Sequence, residues 1–230
     1  YVAAAARARV ALIEKDRMGG DCLNTGCVPS KALIRSARMM SYARRAAEFG
    51  FRETRVDFDF ADVMNRVHDI IRTIEPHDSV ERYTRLGVEC VKGAARILSP
   101  WEIEVAGKTI TTRRMVVATG AGPLVPPIPG LDRVDYLTSD TVWSLKALPR
   151  RLVVLGGGPI GCELSQAFAR LGSRVTQVEM GPQIMGREDG DVAAFIKDRF
   201  ASEGVEVLTG HQAREVRVQD GRRMLVCAHD

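Results

Sequence analysis

Residues 152–179 read LVVLGGGPIGCELSQAFARLGSRVTQVE, and this stretch decides the fold. The short apolar run from Leu152 to Leu155 is typical of a buried parallel strand. A glycine-rich turn follows it and leads into a segment, Cys162 to Leu171, that predicts a helix. A second apolar run, Val175 to Glu179, predicts the next strand. The order of strand, turn, helix and strand indicates one βαβ unit, and therefore an α/β protein with a parallel sheet.

The turn inside this unit, GGGPIG, fits the pattern G-x-G-x-x-G. In this pattern Gly156 allows a tight turn, Gly158 lets a pyrophosphate approach the backbone, and Gly161 lets the helix pack against the strand. Phosphates would lie at the start of the helix, where backbone N–H groups are free. The alternative is a glycine-rich turn in an α/β fold that binds no nucleotide. The predicted contacts are Gly156, Gly158, Pro159, Ile160 and Gly161.

An acid stands at the end of the second strand of this unit. Glu179 can accept hydrogen bonds from the diol of a ribose, which is the usual role of an acid at this place in a dinucleotide fold. The same carboxylate would repel a 2′-phosphate, which NADPH carries and NADH lacks. The sequence therefore favours NADH over NADPH.

The amino-terminal half shows the same strand-then-acid pattern. Residues 9–14 read RVALIE, and Glu14 stands where a second dinucleotide fold would hold a ribose. The glycine-rich turn of that fold would precede Tyr1, so we expect the chain to be a piece of a longer protein. The predicted domains are 1–148, lacking its first strand and turn, and 149–230, lacking its carboxy-terminal part.

Other elements can be predicted around these units. Helices are expected from about Pro29 to Phe49 and from Phe60 to Ile74, with Asp78 as the cap of a further turn. Residues 18–30 predict a loop because they are dense in Gly, Cys, Asn and Pro. From residue 88 the pattern changes to short strands, and Met115 to Ala118 is expected to be a buried one. A hairpin is expected to join Glu215–Gln219 and Met224–Cys227 through Asp220-Gly221.

Composition argues against several classes of partner. The chain has 230 residues, with 33 Lys and Arg against 29 Asp and Glu, and the net charge of +4 is scattered along it. Aromatic residues make up only 6%, so no nucleic-acid partner is expected. No apolar run reaches the ~18 residues that would span a bilayer, so no membrane partner is expected either.

Five cysteines are present, and the odd, sparse count argues against a secreted disulfide scaffold. A reducing, cytoplasmic location is therefore expected. Cys90, Cys162 and Cys227 lie among apolar neighbours and are predicted to be buried small hydrophobes. The four histidines are far apart and have no zinc-ligand spacing to a cysteine, so no metal site is expected.

The other two cysteines lie in the most specific segment of the chain, GGDCLNTGCVPSK at 19–31. Cys22 and Cys27 are five positions apart at the entry to a helix and can approach within disulfide range. The partial positive charge of a helix N-terminus favours a thiolate at Cys27, and thiol exchange needs a low thiol pKa. The alternative is two unrelated cysteines in a loop.

These residues resemble a known family. GGDCLNTGCVPSK is similar to the redox-active disulfide motif of the class I pyridine nucleotide–disulfide oxidoreductases, which include dihydrolipoamide dehydrogenase, glutathione reductase and mercuric reductase. VVATGAGP at 116–123 resembles the second flavin-contact strand of the family, and PPIPGL at 126–131 resembles the linker after it. The details are most similar to mercuric reductases and their dihydrolipoamide dehydrogenase-like relatives. The resemblance implies two Rossmann-like dinucleotide-binding domains with three-layer ββα architecture, both truncated here.

The resemblance also implies roles for single residues. Cys27 would be the sulfur beside the flavin, and Cys22 would be the interchange sulfur that meets the substrate. Lys31 would lie near flavin N5, paired with Glu163. The implied FAD contacts are Glu14, Gly20, Lys31, Ala94, Thr119 and Gly120.

The family pattern bears on the choice of coenzyme as well. In NADPH-using glutathione reductases, arginines follow the strand that ends here at Glu179. The positions that correspond to those arginines hold Met180 and Gly186 in this chain, and Arg187 lies one residue after the second of them. This agrees with NADH, whereas mercuric reductases usually prefer NADPH.

The implied activity is that of a flavoprotein oxidoreductase with FAD and NAD(P)H. Hydride would pass from the nicotinamide to the flavin, and two electrons would then pass to the Cys22–Cys27 disulfide. The dithiol would reduce a small-molecule disulfide or Hg(II), or the order would reverse with a dithiol substrate. The resemblance also implies a homodimer of the whole protein through a carboxy-terminal interface domain, which we expect to lie outside this chain. The alternative function is a catalytically incomplete nucleotide-binding fragment without turnover.

Overall fold

The computed structural model describes residues 2–52 and 54–229. The helices are α1 (Val2–Ala5), α2 (Gly20–Asn24), α3 (Cys27–Arg44), α4 (Phe60–Ile74), α5 (Val80–Arg85), α6 (Pro159–Leu171) and α7 (Gly190–Ser202). The strands are β1 (Val10–Glu14), β2 (Val88–Lys92), β3 (Arg96–Ser99), β4 (Glu102–Val105), β5 (Lys108–Thr111), β6 (Arg151–Leu155), β7 (Arg174–Val178), β8 (Glu206–Leu208), β9 (His211–Gln219) and β10 (Arg222–His229).

The chain divides into two compact units. The first contains the residues up to Pro29 and those from His68 to Gly122, and the second contains Ser30–Val67 and the residues from Pro123 onward. The division falls inside α3 and α4. The domain boundary at 148/149 stays a prediction. The secondary structure is mixed α/β, as the sequence predicts.

The first unit contains two small sheets. β1 and β2 pair in parallel, with Val10 opposite Val88 and Glu14 opposite Lys92. β3, β4 and β5 form an antiparallel sheet in that order. Ala106 and Gly107 connect β4 to β5 with φ values of 51° and 73°, as a tight two-residue hairpin turn requires.

The second unit is built on the predicted βαβ unit. β6, β7 and β8 form a parallel sheet in that order, and α6 connects β6 to β7. Phe168 of α6 is 1% exposed, and its ring lies 6.1 Å from the ring of Phe60. Phe60 belongs to a buried stripe on α4 whose other members are Met64 and Val67, at the spacing that one helix face requires. The hairpin of β9 and β10 turns at Asp220-Gly221, which confirms that prediction.

The structure corrects one predicted strand. Met115 to Ala118 is not a strand, and the side chains of Val116 and Val117 are 89% and 64% exposed. A strand is stable only when a neighbour pairs with its backbone. Among the described residues, β1 and β2 form a sheet of two strands only, so 115–118 has no strand beside it.

Two smaller predictions were also wrong. Residues 18–30 are not wholly a loop, because Gly20–Asn24 forms α2 and α3 already begins at Cys27. The cap of α5 is Ser79 rather than Asp78, since the Ser79 hydroxyl accepts a hydrogen bond from the Arg82 N–H at 3.2 Å. No helix among the described residues has the length and apolar character needed to cross a membrane.

A largely buried ion cluster joins α6 to the end of α7. Arg170 donates two hydrogen bonds, of 2.8 and 2.7 Å, to the carboxylate of Glu203, and Arg199 lies 2.8 Å from the same carboxylate. Burial raises the pKa of Glu203, but the hydrogen bond and charge of Arg170, with the charge of Arg199, outweigh burial, so the pKa lies below its usual value.

We expect Glu203→Ala to lower the free energy of unfolding by about 3 kcal/mol, because it leaves the guanidinium of Arg170 largely buried without its partner. The depressed pKa means that the cluster stabilises the fold above the unfolded-state pKa and that this contribution is lost as pH falls through the folded-state pKa. Urea unfolding at neutral and acidic pH measures both effects. Asp135→Ala is the control, since its pair with Arg223 is solvent-exposed. Equal losses in the two variants would contradict the prediction.

Candidate functional site

The glycine-rich turn lies between β6 and α6. Gly156 has a φ of 102°, which strongly favours glycine. Gly158 is the N-cap residue of α6, and Pro159 occupies the first turn of the helix, where a missing N–H is tolerated. A Cβ on Gly161 would lie 2.3 Å from the carbonyl oxygen of Gly156, so only glycine permits the helix to come this close to the turn.

Glu179 lies directly after β7 and faces the turn. Its Oε2 accepts a hydrogen bond of 2.6 Å from the N–H of Gly157, and its Oε1 accepts one of 2.6 Å from the N–H of Gly181. Both carboxylate oxygens are therefore held by backbone donors. Glu179 thus has a fixed position beside the turn.

A cavity of about 680 Å³ opens beside this carboxylate. Its lining combines the turn with the segment that follows β7, at the carboxyl edge of a parallel sheet, where α/β folds bind ligands. The lining residues are Gly157, Gly158, Pro159, Glu179, Gly181, Pro182, Gln183, Met185, Gly186, Arg187 and Glu188.

The arrangement fits a dinucleotide. A Cβ added to Gly158 would meet no atom within 4 Å, so open space lies where a pyrophosphate would approach. Met180 is 66% exposed but uncharged, and Gly186 has no side chain. Neither residue therefore provides a positive charge for a 2′-phosphate. Arg187 lines the cavity together with Glu188.

The part of this lining that follows β7 was not predicted from the sequence. Gln183, Met185 and Glu188 were not predicted as site residues, although Arg187 was noted. The available signal was their place directly after a strand that ends in an acid, because loops at the carboxyl ends of parallel strands form ligand sites.

Lys31 and Glu163 meet in the second unit. The Lys31 ammonium lies 2.7 Å from Oε1 and 2.8 Å from Oε2 of Glu163, although 132 positions separate the two residues. The side chains are 59% and 39% exposed. Lys31 lies on α3, one turn after Cys27, and Glu163 lies in the first half of α6.

The cysteine pair lies where α2 gives way to α3. Cys22 is on α2 and Cys27 is the first residue of α3, and both are exposed thiols rather than a disulfide. The side-chain hydrogen bond between them raises the pKa of Cys22, and the partial loss of water around the thiol adds to the effect. A Cβ on Gly26 would lie 2.9 Å from the carbonyl oxygen of Asp21. The glycine therefore allows the segment that joins Cys22 to Cys27 to fold back closely on the backbone of α2.

Apart from Lys31, the residues implied as FAD contacts form two clusters in the first unit. The carbonyl oxygen of Glu14 accepts a 3.0 Å hydrogen bond from the N–H of Gly93, which places Ala94 beside the end of β1. In the second cluster, the carboxylate of Asp21, next to Gly20, accepts a 3.4 Å hydrogen bond from the N–H of Ala121.

Thr119 and Gly120 lie beside this second cluster. A Cβ on Gly120 would lie 2.8 Å from the Asp21 carboxylate, so glycine is required for this contact. Asp21 was not predicted as a site residue. Its position between Gly20 and Cys22 was the only signal for it in the sequence.

Comparison with known proteins relates this geometry to a family. The family described as "Pyridine nucleotide-disulphide oxidoreductase" matches residues 1–229. A mercuric reductase of Bacillus cereus is 36% identical over 95% of this chain, and a dihydrolipoyl dehydrogenase of Acholeplasma laidlawii is 32% identical over 91%. The chain covers 34% of the first relative and 63% of the second.

A solved structure has a similar fold. The HOCl-induced flavoprotein disulfide reductase RclA from Escherichia coli matches all of this chain with a TM-score of 0.82 and 28% sequence identity. The match covers 50% of that protein. The chain therefore spans about a third to two thirds of the length of the proteins it resembles.

We expect the pH midpoint for alkylation of Cys22 to lie above that of an ordinary thiol, because the hydrogen bond with Cys27 stabilises the protonated form. Cys27→Ala removes this bond and should move the midpoint down. Peptide mapping by mass spectrometry after timed iodoacetamide treatment of the reduced chain measures the rate at each pH. Cys90→Ala is the control. A midpoint that is the same with and without Cys27 would contradict the prediction.

Proposed function

We propose that this chain, which belongs to the pyridine nucleotide-disulphide oxidoreductase family, is part of a FAD-dependent enzyme that passes electrons between a nicotinamide dinucleotide and the Cys22–Cys27 pair. The observation that carries the proposal is the side-chain hydrogen bond between two exposed thiols, Cys22 on α2 and Cys27 at the first position of α3. Thiols in contact can form an S–S bond without a large rearrangement of the backbone.

The thiol pair supports two-electron chemistry. When the S–S bond forms, Cys22 and Cys27 together lose two protons and two electrons, and the reverse step restores both thiols. The raised pKa of Cys22 keeps a proton on that sulfur in the reduced state. Cys27 is the first residue of α3. The pair therefore places a sulfur that keeps its proton in hydrogen-bond contact with a second thiol at the start of a helix.

The described residues also support a flavin site. FAD, when bound, accepts hydride and exchanges electrons with a neighbouring disulfide. Glu14, with Ala94 beside it, would hold the ribose, and Gly20, Thr119 and Gly120 would contact the cofactor through the backbone. Lys31 would lie beside the ring system with its charge oriented by Glu163, as the 2.7 Å ion pair supports.

The cavity beside the glycine-rich turn supports a site for NADH. The first N–H groups of α6 would hold the pyrophosphate, since the first turn of a helix has no internal acceptors for them. The Glu179 carboxylate would accept hydrogen bonds from the ribose diol.

The substrate we propose is a small molecule that a thiol pair can reduce, either a disulfide or Hg(II). This follows the names of the relatives, mercuric reductase and dihydrolipoyl dehydrogenase, of which the second names a dithiol, the dihydrolipoyl group, as what it acts on. A cytoplasmic location and a homodimeric whole protein belong to the same proposal.

A second candidate is a nucleotide-binding chain without turnover. The lack of regular secondary structure around Thr119-Gly120 favours it, because this segment would have to contact the flavin. The two candidates differ in whether the chain holds a flavin that NADH can reduce.

We expect the purified chain, loaded with FAD, to show a flavin absorbance band that NADH bleaches in the absence of oxygen. Cys27→Ser should keep the bleaching but lose the transfer of electrons to a disulfide reagent, because one sulfur of the pair is missing. Cys227→Ser is the matched control on β10. Anaerobic absorbance titration measures the bleaching. A chain that binds NADH but never holds flavin would overturn the enzyme and leave the second candidate.

We expect the chain to bind NADH about tenfold more tightly than NADPH, because the Glu179 carboxylate repels a 2′-phosphate. Glu179→Gln should reduce this preference to about twofold, since it removes the charge and keeps the shape. Calorimetric titration with both coenzymes gives the ratio of the two dissociation constants. Glu188→Gln, on another acid of the cavity lining, is the control. An unchanged ratio in Glu179→Gln would refute this account of the preference.

A further inference from the structure

Two buried polar side chains lie behind the glycine-rich turn. Gln177, on β7, is 0% exposed, and Cys162, on α6, is 6% exposed. An amide buried without hydrogen bonds is strongly destabilising, so the partners of Gln177 explain why it is tolerated in the core. All of those partners belong to the turn or to Cys162.

The side chains bind the carbonyl groups of the turn. Gln177 Nε2 donates a 3.0 Å hydrogen bond to the carbonyl oxygen of Gly156 and a 3.5 Å one to the sulfur of Cys162. Cys162 Sγ donates a 3.3 Å hydrogen bond to the carbonyl oxygen of Gly157. The backbone N–H of Met185 donates a 2.6 Å hydrogen bond to the same oxygen. The carbonyl oxygens of Gly156 and Gly157, the first two of the turn, therefore both accept hydrogen bonds from the protein itself.

Holding a carbonyl also sets the direction of an N–H group. The peptide unit is planar and trans, so the C=O of one residue and the N–H of the next point in opposite directions. With the Gly156 carbonyl bound to Gln177, the Gly157 N–H points the other way and meets Glu179 at 2.6 Å. With the Gly157 carbonyl bound to Cys162 and Met185, the Gly158 N–H points away from both.

We propose that Gln177 and Cys162 are positioning residues, which hold the peptide groups of the turn so that the Gly158 N–H faces the pyrophosphate of the dinucleotide. The inference rests on the proposed binding of NADH and goes beyond it by naming residues that touch no ligand. Gly158 lines the cavity, and the space beside its Cα is open, so the N–H set by these contacts belongs to the cavity wall. Cys162 thus acts as a hydrogen-bond donor rather than as a redox thiol.

The positioning role predicts a selective loss. Gln177→Met keeps the length and buries no new polar group but cannot donate to Gly156, so NADH should bind about tenfold more weakly. Cys162→Ala should weaken NADH binding about threefold, and Cys162→Ser, which keeps a donor, should stay within about twofold of the unsubstituted chain. Adenosine, which has the ribose diol but no phosphate, should bind the Cys162 variants as it binds the unsubstituted chain. In Gln177→Met it should lose less affinity than NADH does, because Gln177 also sets the Gly157 N–H that holds Glu179.

The measurement is calorimetric titration of the purified chains with NADH, with ligand-observed NMR for the weaker adenosine and thermal melting as the test of folding. Two control variants lie on the same helix and the same strand as the substituted residues. Ser165→Ala removes a buried hydroxyl from the same helix, and that hydroxyl has no hydrogen-bond partner among the described residues. Thr176→Val removes a hydroxyl from the same strand that bonds Glu206 instead of the turn. Both should bind NADH as the unsubstituted chain does.

The outcomes distinguish failure of the proposed function from failure of the positioning role. Absence of NADH binding in the unsubstituted chain would overturn the proposed function and this inference with it. Normal NADH binding by Gln177→Met and Cys162→Ala would overturn the positioning role alone. Parallel losses for NADH and adenosine would also overturn it, since they would show a general distortion of the site. If Gln177→Met fails to fold, the comparison of Cys162→Ala with Cys162→Ser decides.

Discussion

The close approach of α6 to the turn before it is the constraint on which the glycine-rich turn and its cavity depend. The missing side chain of Gly161 leaves room for the Gly156 carbonyl, which would otherwise lie 2.3 Å from a Cβ. Because the turn and the helix touch here, the first N–H groups of the helix face the same space as the turn. The contact also brings Cys162, one residue further along α6, against the Gly157 carbonyl. A larger residue at 161 would therefore disturb both the packing and the ligand-binding surface.

The sequence predicted this region well because its signals are local. Apolar runs, glycines at fixed offsets and an acid after the second strand all occur within about thirty residues, which is the length of one βαβ unit. The structure shows β6, α6 and β7 in that order, and the comparisons place the chain in the family that the cysteine motif indicated. The hairpin at Asp220-Gly221 was predictable for the same reason, because two residues determine its turn.

The sequence predicted less well where a residue depends on distant neighbours. Met115 to Ala118 has the composition of a strand, but strand formation requires a partner, which no local pattern reveals. Lys31 and Glu163 are 132 positions apart, and only the family resemblance linked them before the structure was known. Gln177 would be taken from its sequence for an outward-facing polar residue, and Cys162 for a small hydrophobe. Their hydrogen bonds to the turn exist only after α6 and β7 have packed together.

The two backbone hydrogen bonds to Glu179 have a consequence for the thermodynamics of binding. A flexible carboxylate loses rotational freedom when a ligand fixes it, and this entropy loss weakens the affinity. In this chain Gly157 and Gly181 already restrict both oxygens before any ligand arrives. In the proposed site a ribose diol would therefore meet an acceptor that is preorganised, and little side-chain entropy would remain to be lost. The conformational entropy of the Glu179 side chain is lost when the chain folds, and the contacts of the core offset that loss.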